Sequence, residues 1–248
     1  RRTYFDYLLP KILPAETAEK IPPYYFYDLQ GHVFSDLNEK DRISVSIYRG
    51  IDDLIFDNLG LTADWGNNTY SLSFRRVFNE KLVGNFLTAY SEFFTNFNLG
   101  GADGLNSENK IVDQTLSTNL TFFQSSDLEW RTGAQIKQLD FKYLNTFLED
   151  TSFYIGENPI EAGFYTKLKW KGFSRFIIEP GVRYNYYSVY SSTPYIDLRL
   201  GAKYLLTDDR YINIALGNYH QFIQTVQDDY NPTILDSWLA VDNSIDPA

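Results

Sequence analysis

The 248-residue chain contains no cysteine and no methionine, and it has only two histidines. Without cysteine it can form neither a disulfide nor a Cys-ligated metal site, and it has no thiolate nucleophile. It also has no run of roughly 18 apolar residues, which excludes a helical membrane span. Basic residues are outnumbered, 22 against 32 acidic, giving a net charge of −10. Such a charge argues against a nucleic-acid partner, because phosphates bind basic surfaces.

Residue patterns that support catalysis are also scarce. His32 and His220 lie far apart and belong to neither a Ser–His–Asp order nor a metal-binding spacing, so we interpret both as ordinary wall residues. Adjacent acids such as Asp52-Asp53 lack the spacing of a calcium loop. The glycine-rich segment 100–104 lacks the Lys-Ser/Thr of a phosphate-binding loop. We therefore predict a protein that is not an enzyme, with no catalytic residue, cofactor or metal site.

Long alternating strands and aromatic residues are what the chain has in abundance. Aromatic residues make up 17% of it, including 20 Tyr and 19 Phe. From Pro159 to Leu205 three consecutive segments place apolar residues at every second position and charged residues between them. Soluble strands usually run about five or six residues, whereas strands of this length and pattern suit a wall between lipid and water.

The alternation assigns two faces. The apolar set is predicted to face lipid: Phe164, Leu168, Trp170, Ile178, Val182, Ile196, Leu198 and Leu200. The charged set is predicted to face a hydrated lumen and an inner plug domain: Arg75, Arg131, Lys137, Lys167, Lys169, Glu179, Arg183, Asp197, Arg199 and Lys203. Because proline cannot donate to a ladder, Pro180 predicts a bulge or a local break in pairing.

The pattern as a whole predicts about eleven strands, at residues 1–9, 23–37, 42–56, 68–78, 82–96, 110–124, 129–143, 159–171, 173–189, 193–206 and 210–226. Short polar turns alternate with longer segments at 10–22, 57–67, 97–109, 144–158 and 227–248. Aromatic residues gather near both strand ends, Trp130 and Trp170 at one and Tyr186-Tyr187 at the other. These features predict an all-β antiparallel transmembrane barrel with short periplasmic turns, long extracellular loops and aromatic bands at both interfaces.

Several segments resemble the barrel of TonB-dependent outer-membrane receptors, in the group that carries a carboxypeptidase-regulatory-like N-terminal domain. The similarity includes Ile178-Glu-Pro-Gly-Val-Arg-Tyr184 and Leu198-Arg-Leu-Gly-Ala-Lys-Tyr204, and extends to 1–9, 23–29, 64–72, 217–222 and 236–240. The resemblance implies a 22-strand barrel, of which residues 1–248 would be one part, without the plug and the remaining strands. Since the chain lacks an initiator Met and a signal peptide, we expect it to be an internal piece of a longer polypeptide.

The resemblance implies active import of a nutrient across the Gram-negative outer membrane, driven by the TonB complex through the plug. Siderophore, vitamin, oligosaccharide and peptide cargoes fit equally. The implied partners are the plug, the rest of the barrel and outer-membrane lipid, with a surface lipoprotein lid where the cargo is a glycan. Two other functions stay open: a passive outer-membrane porin or channel, and a soluble β-rich adhesin or carbohydrate-binding module.

Overall fold

Long antiparallel strands form most of the molecule. A computed structural model describes residues 2–14, 17, 23–101, 103–148, 150–190, 194–226 and 237–240. Its elements are helix α1 (Phe5–Ile12) and strands β1 (Tyr24–Asp36), β2 (Asp41–Phe56), β3 (Leu61–Asn79), β4 (Leu82–Leu99), β5 (Leu105–Phe123), β6 (Leu128–Phe147), β7 (Asp150–Glu157), β8 (Ile160–Phe173), β9 (Phe176–Tyr187), β10 (Tyr195–Leu205), β11 (Tyr211–Gly217), β12 (Ile223–Val226) and β13 (Ser237–Ala240).

One sheet contains eleven of the described strands, in the order β1-β2-β3-β4-β5-β6-β8-β9-β10-β11. The additional strand, β7, pairs with the last third of β6, while β8 pairs with its first half. Strands β12 and β13 form a separate two-stranded hairpin. Since β1 and β11 do not pair with each other, the described sheet is open.

Short turns join the strands at one end of the sheet, here called the turn end. In the turn between β1 and β2, Asn38 Oδ1 accepts hydrogen bonds from the backbone N–H groups of Lys40 and Asp41, at 2.8 and 3.0 Å. Asn79 repeats this arrangement before β4, accepting from Lys81 N at 2.9 Å. A side-chain oxygen that satisfies backbone donors two or three residues later favours a tight turn, so these asparagines end the strands.

The opposite end of the sheet, here called the far end, corrects several predicted boundaries. The segments 57–67 and 97–109 were predicted as long loops, but most of their residues continue β3, β4 and β5. The chain reverses there within residues 57–60 and 100–104, where Gly60, Gly100 and Gly101 have positive φ. Segment 144–158 likewise contains the end of β6 and all of β7. The predicted strand 210–226 is divided between β11 and β12.

The prediction of a strand at 1–9 is wrong, because Phe5–Ile12 forms helix α1. Its apolar residues Phe5, Leu8, Leu9 and Ile12 have the i, i+3, i+4, i+7 spacing of a helix, which a reading at period two overlooks. Leu8 N donates to Tyr4 O at 2.8 Å and closes the first turn. Among the described residues, no helix is both long and apolar enough to cross a membrane.

The prediction for Pro180 is confirmed. On one side its strand pairs without interruption with β10, with Pro180 opposite Leu200. On the other side the β8–β9 ladder stops after Lys167↔Gly181 and resumes at Trp170↔Ile178. Only the pairing with β8 is therefore lost at the proline, so its missing N–H removes hydrogen bonds from one ladder and not from both.

The apolar core lies at the far end rather than in the middle of the sheet. Its members are nearly inaccessible to solvent and share one face of β3, β5 and β6: Ala63, Ile111, Leu139, Phe141 and Tyr143. We call these residues the far-end core. Strand β13 contacts β5 and β6, so the β12–β13 hairpin packs close to the far-end core.

Candidate functional site

All ten residues predicted to face the lumen lie on one face of the sheet, called the polar face. The registers establish this directly: Arg131 is opposite Lys167, Lys167 is opposite Gly181, and Gly181 is opposite Arg199. Residues directly opposite in an antiparallel ladder project to the same side. By the same rule, the pairing of β6 with β5, of β5 with β4 and of β4 with β3 places Arg75 on this face as well.

The eight residues predicted to face lipid lie together on the opposite face, called the apolar face. For example, Leu198 is opposite Val182, and Leu200 is opposite Pro180. Leu198 is 62% exposed and Phe164 is 53% exposed, so both side chains are accessible in the described structure. Contact with lipid itself stays a prediction, whereas the separation into two faces is a property of the structure.

Ion pairs run along the polar face of β5–β10. Glu179 lies between two lysines, 3.8 Å from Lys167 Nζ and 3.2 Å from Lys169 Nζ. Lys137 Nζ lies 3.4 Å from Asp113. Elsewhere on this face Arg131 pairs with Glu129, Arg183 with Glu161, and Lys203 packs over the Tyr211 ring. The side chains in these pairs are partly exposed, so they form a hydrated charged surface rather than a sealed interior.

The strongest polar network is built on Asp197, which is 2% exposed. Asn185 Nδ2 donates to Asp197 Oδ2 at 3.0 Å, and His220 Nδ1 lies 2.6 Å from Asp197 Oδ1. Arg199 adds a guanidinium at 3.5 Å. The network continues through Arg183, whose Nε donates to Asn185 Oδ1 at 2.6 Å. A buried carboxylate requires such partners, because an unpaired one would be expensive to desolvate.

Asn218 positions His220 over the polar face. Its backbone N–H donates to Leu198 O at 3.1 Å, and its side chain accepts from Leu198 N at 2.8 Å. Its Nδ2 also donates to Ile196 O at 2.9 Å. Asn218 thus extends the pairing of β10 after β11 has ended, and the chain then crosses to the polar face.

Aromatic rings complete this anchor. Phe222 stacks on Tyr187 with ring centroids 4.6 Å apart and meets Tyr195 edge-on at 5.4 Å. Tyr187, which the sequence assigned to an aromatic band, is instead fully buried, so that part of the prediction is wrong. The segment 218–222 is held by both polar and apolar contacts, and it leads directly into β12.

Sequence reasoning missed the partnership of Asp197 with His220 and Asn185. Asn185 and Asp197 lie opposite Tyr195 and Arg183 on adjacent strands, which only the register reveals. His220 was placed on a strand, and its true position depends on the early end of β11. The Asn218 turn offered the one available signal, since asparagine commonly replaces a backbone partner.

Glycines on the polar face let long side chains lie flat against the wall. A Cβ added at Gly133 would meet Tyr165 Cε1 at 2.5 Å, and one at Gly163 would meet the Arg183 guanidinium at 2.5 Å. Tyr165 uses this position to donate to Asn119, and Arg183 to reach Gln135 at 3.3 Å. Because these side chains lie along the sheet, they leave room in front of it.

The described residues contain no group of three or more His, Cys, Asp or Glu side chains that could hold a metal ion. His32 bonds Ser46 Oγ at 2.8 Å and lies far from the Asp197 network. The partly exposed charges of the polar face favour contact with water, polar solutes or another polar surface.

No protein-family model matches the sequence, and no curated protein matches it. Solved structures do match the fold. FpvA of P. aeruginosa, solved with heterologous pyoverdines, has a TM-score of 0.66 at 13% identity, covering 84% of this chain and 36% of that one. The copper transporter OprC has a TM-score of 0.64 at 10% identity, covering 80% and 37%. The siderophore receptor PirA from Pseudomonas aeruginosa has 0.61 at 13%, covering 90% and 41%.

The fold is that of the barrel wall that these transporters and receptors share. This confirms the predicted fold class and, at the level of fold, the resemblance noted in the sequence. The chain spans about two-fifths of the length of these proteins. This fold agrees with the predicted outer-membrane location.

Proposed function

We propose that residues 1–248 form part of the barrel wall of an outer-membrane protein that imports a nutrient. One observation carries the proposal: an eleven-stranded antiparallel sheet whose described strands have an exposed apolar face and a charged, hydrated face. Such a sheet separates lipid from an aqueous lumen. The fold shared with transporters of copper and siderophores supports import over adhesion.

The import is active in this proposal. The TonB complex pulls on a plug domain that fills the lumen, and the polar face supplies the surface against which the plug rests. The ion pairs of the polar face suit this role, because a charged wall keeps a polar domain hydrated and releasable. No covalent chemistry is required of the chain, and the cargo class stays open among siderophores, vitamins, oligosaccharides and peptides.

Uptake by cells with and without the gene tests the proposal. Deletion should abolish uptake of one labelled nutrient from a panel of ferric siderophores, copper, cobalamin, oligosaccharides and peptides, and the full-length gene should restore it. A protonophore should block that uptake, because TonB draws on the proton gradient. Uptake that continues under the protonophore, with a steady conductance in planar bilayers, would identify a passive channel instead.

Fractionation tests the third function considered above. The full-length protein should pellet with outer membranes and require detergent for release, because its apolar face cannot remain in water. A protein that stays in solution without detergent would be an adhesin or a carbohydrate-binding module. If the nutrient proves to be a glycan, co-purification in mild detergent would test for a lipoprotein lid.

A further inference from the structure

A small cavity opens on the polar face between β8, β9 and β10. It measures about 210 Å³, and its charged lining comprises Lys167, Glu179, Arg183 and Arg199, with Tyr165 and Tyr219 beside them. Its lining includes Gly181, which is opposite Lys167 on one side and Arg199 on the other. Adjacent strands lie about 4.8 Å apart, so the two cations flank this glycine with their backbones roughly 10 Å apart.

Two of the residues that line the cavity, Gly181 and Gly201, have no side chain to fill it. The atoms nearest to a Cβ at Gly181 would be Lys167 Cβ, at 3.1 Å, and backbone atoms of β8. A Cβ at Gly201 would meet nothing closer than Glu179 Cβ at 3.6 Å. A side chain at Gly201 would therefore find room, whereas one at Gly181 would press against Lys167, and neither glycine has a positive φ that would demand its presence. The absent side chains leave a depression in which two cationic head groups can converge.

The cations retain hydrogen-bonding capacity toward this depression. Lys167 and Arg199 have side chains 40% and 44% exposed, with ion-pair distances of 3.8 and 3.5 Å to Glu179 and Asp197. An ammonium has three donors and a guanidinium five, so one loose carboxylate contact leaves most of them to water. The Arg199 guanidinium also packs over the Tyr219 ring, 4.6 Å from its centroid, which restricts its position.

We propose that this cavity binds an anionic oxygen group, a carboxylate or a phosphate, between Lys167 and Arg199 above Gly181. The planar fork of Arg199 can hold two oxygens, and Lys167 supplies a point charge on the other side. The group comes either from a dissolved solute in the lumen or from a side chain of the polypeptide that fills it. The inference rests on the proposed function, because lumen access is what brings either source to the wall.

Equilibrium titration of the detergent-solubilised full-length protein with citrate and with inorganic phosphate tests the site. Loss of a charge-assisted hydrogen bond corresponds to roughly 10- to 100-fold weaker binding, which is expected for Arg199→Gln and for Lys167→Gln. Gly201→Leu should also block binding while retaining every charge, because its side chain fills the depression. Lys142→Gln, on the opposite face at the far end, is the control and should bind as the wild type does.

The two sources give different results. A solute site binds the free anion in the wild-type protein. An internal source prevents free-anion binding, and a high-resolution structure of the full-length protein then shows a carboxylate other than those of Glu179 and Asp197 within hydrogen-bonding distance of Arg199 and Lys167. The proposal is overturned if neither is observed, or if bound anion is unaffected by all three variants. Because binding is measured without uptake, loss of energised transport in a protein that still binds anion counts against the proposed function alone.

Discussion

The same strands present opposite patterns at their two ends. Toward the turn end, the side chains on the apolar face (here called outward) are apolar and those on the polar face (inward) are polar, as with the exposed Leu116 and its neighbour Thr115 on β5. At the far end of this strand, the outward residue is Lys110 and the inward residue is the buried Ile111. The register of β5 with β6 is unbroken, so each face continues from one end of the strands to the other. The apolar face nevertheless becomes polar at the far end, and the polar face becomes apolar there.

Strand length explains the reversal. Strands β3, β5 and β6 have 19, 19 and 20 residues, whereas about 9–11 residues suffice to cross a membrane. In the proposed membrane orientation, the remaining half of each strand projects into water and behaves as a soluble sheet does, with apolar residues inside. The outward ion pair of Lys142 with Glu108, at 2.7 Å, belongs to this soluble half. In that orientation, the solvent around each half of a strand decides which of its faces is apolar.

Truncation of a leucine should give the largest difference in the free energy of unfolding between the two halves. Leu139→Ala in the far-end core should cost up to about 5 kcal/mol, because it leaves a cavity in packed protein. Leu116→Ala, the matched change on the lipid side, should cost roughly 2 kcal/mol, since lipid fills the space and only transfer free energy is lost. Urea unfolding of the full-length protein in lipid vesicles measures both. Equal losses would show that Leu116 packs against protein rather than lipid.

A charge placed in the apolar half tests the position of the membrane. Leu116→Lys should destabilise the protein by about 2–4 kcal/mol, the cost of a lysine on the lipid face near the bilayer centre. Thr146→Lys on β6, on the same face beyond the apolar half, should change the free energy of unfolding by less than about 0.5 kcal/mol. Folding yield into vesicles gives a second measure. A tolerated lysine at 116 would contradict the assignment of the apolar face to lipid.

Much of the membrane half could be predicted from the sequence, because alternation at period two is a local signal. The eighteen residues assigned to the two faces, from Arg75 to Lys203, separate onto opposite faces of the sheet, while their contact with lipid or with a lumen stays a prediction. The far end could not be predicted as well. Segments such as 97–109 contain Gly, Asn and Asp, which resemble loop composition, although pairing across a tight reversal at Gly100 makes them strands.

Tertiary contacts account for the other errors. The Asp197 network joins β9, β10 and the segment after β11, and no local pattern connects Asp197 with His220. In helix α1 a period of 3.6 competes with a period of two over too few residues to decide between them. The count of eleven strands in the sheet was right although its membership was not, since β7 replaced the strand expected at 1–9.

The two histidines differ in the burial of their partners, so their substitutions should differ in cost. His220→Ala should destabilise the 218–222 segment by about 1–3 kcal/mol, because Asp197 is buried and would lose its closest partner. His32→Ala removes an exposed bond to Ser46 and should cost less than about 1 kcal/mol. Amide hydrogen exchange at residues 218–223 reports the local effect. Unchanged protection there would mean that the Tyr187–Phe222 stack holds the segment without His220.

The smallest effect is expected for the outward ion pair at the far end. Lys142 and Glu108 each have 38% exposed side chains, so solvent screens their attraction. Lys142→Met should therefore change the free energy of unfolding by at most about 1 kcal/mol, and the difference should shrink as salt is raised. Unfolding in low and high salt checks this. A cost of several kcal/mol that ignores salt would place Lys142 in a low-dielectric environment, and the boundary between the lipid and water halves of β6 would then lie beyond residue 142.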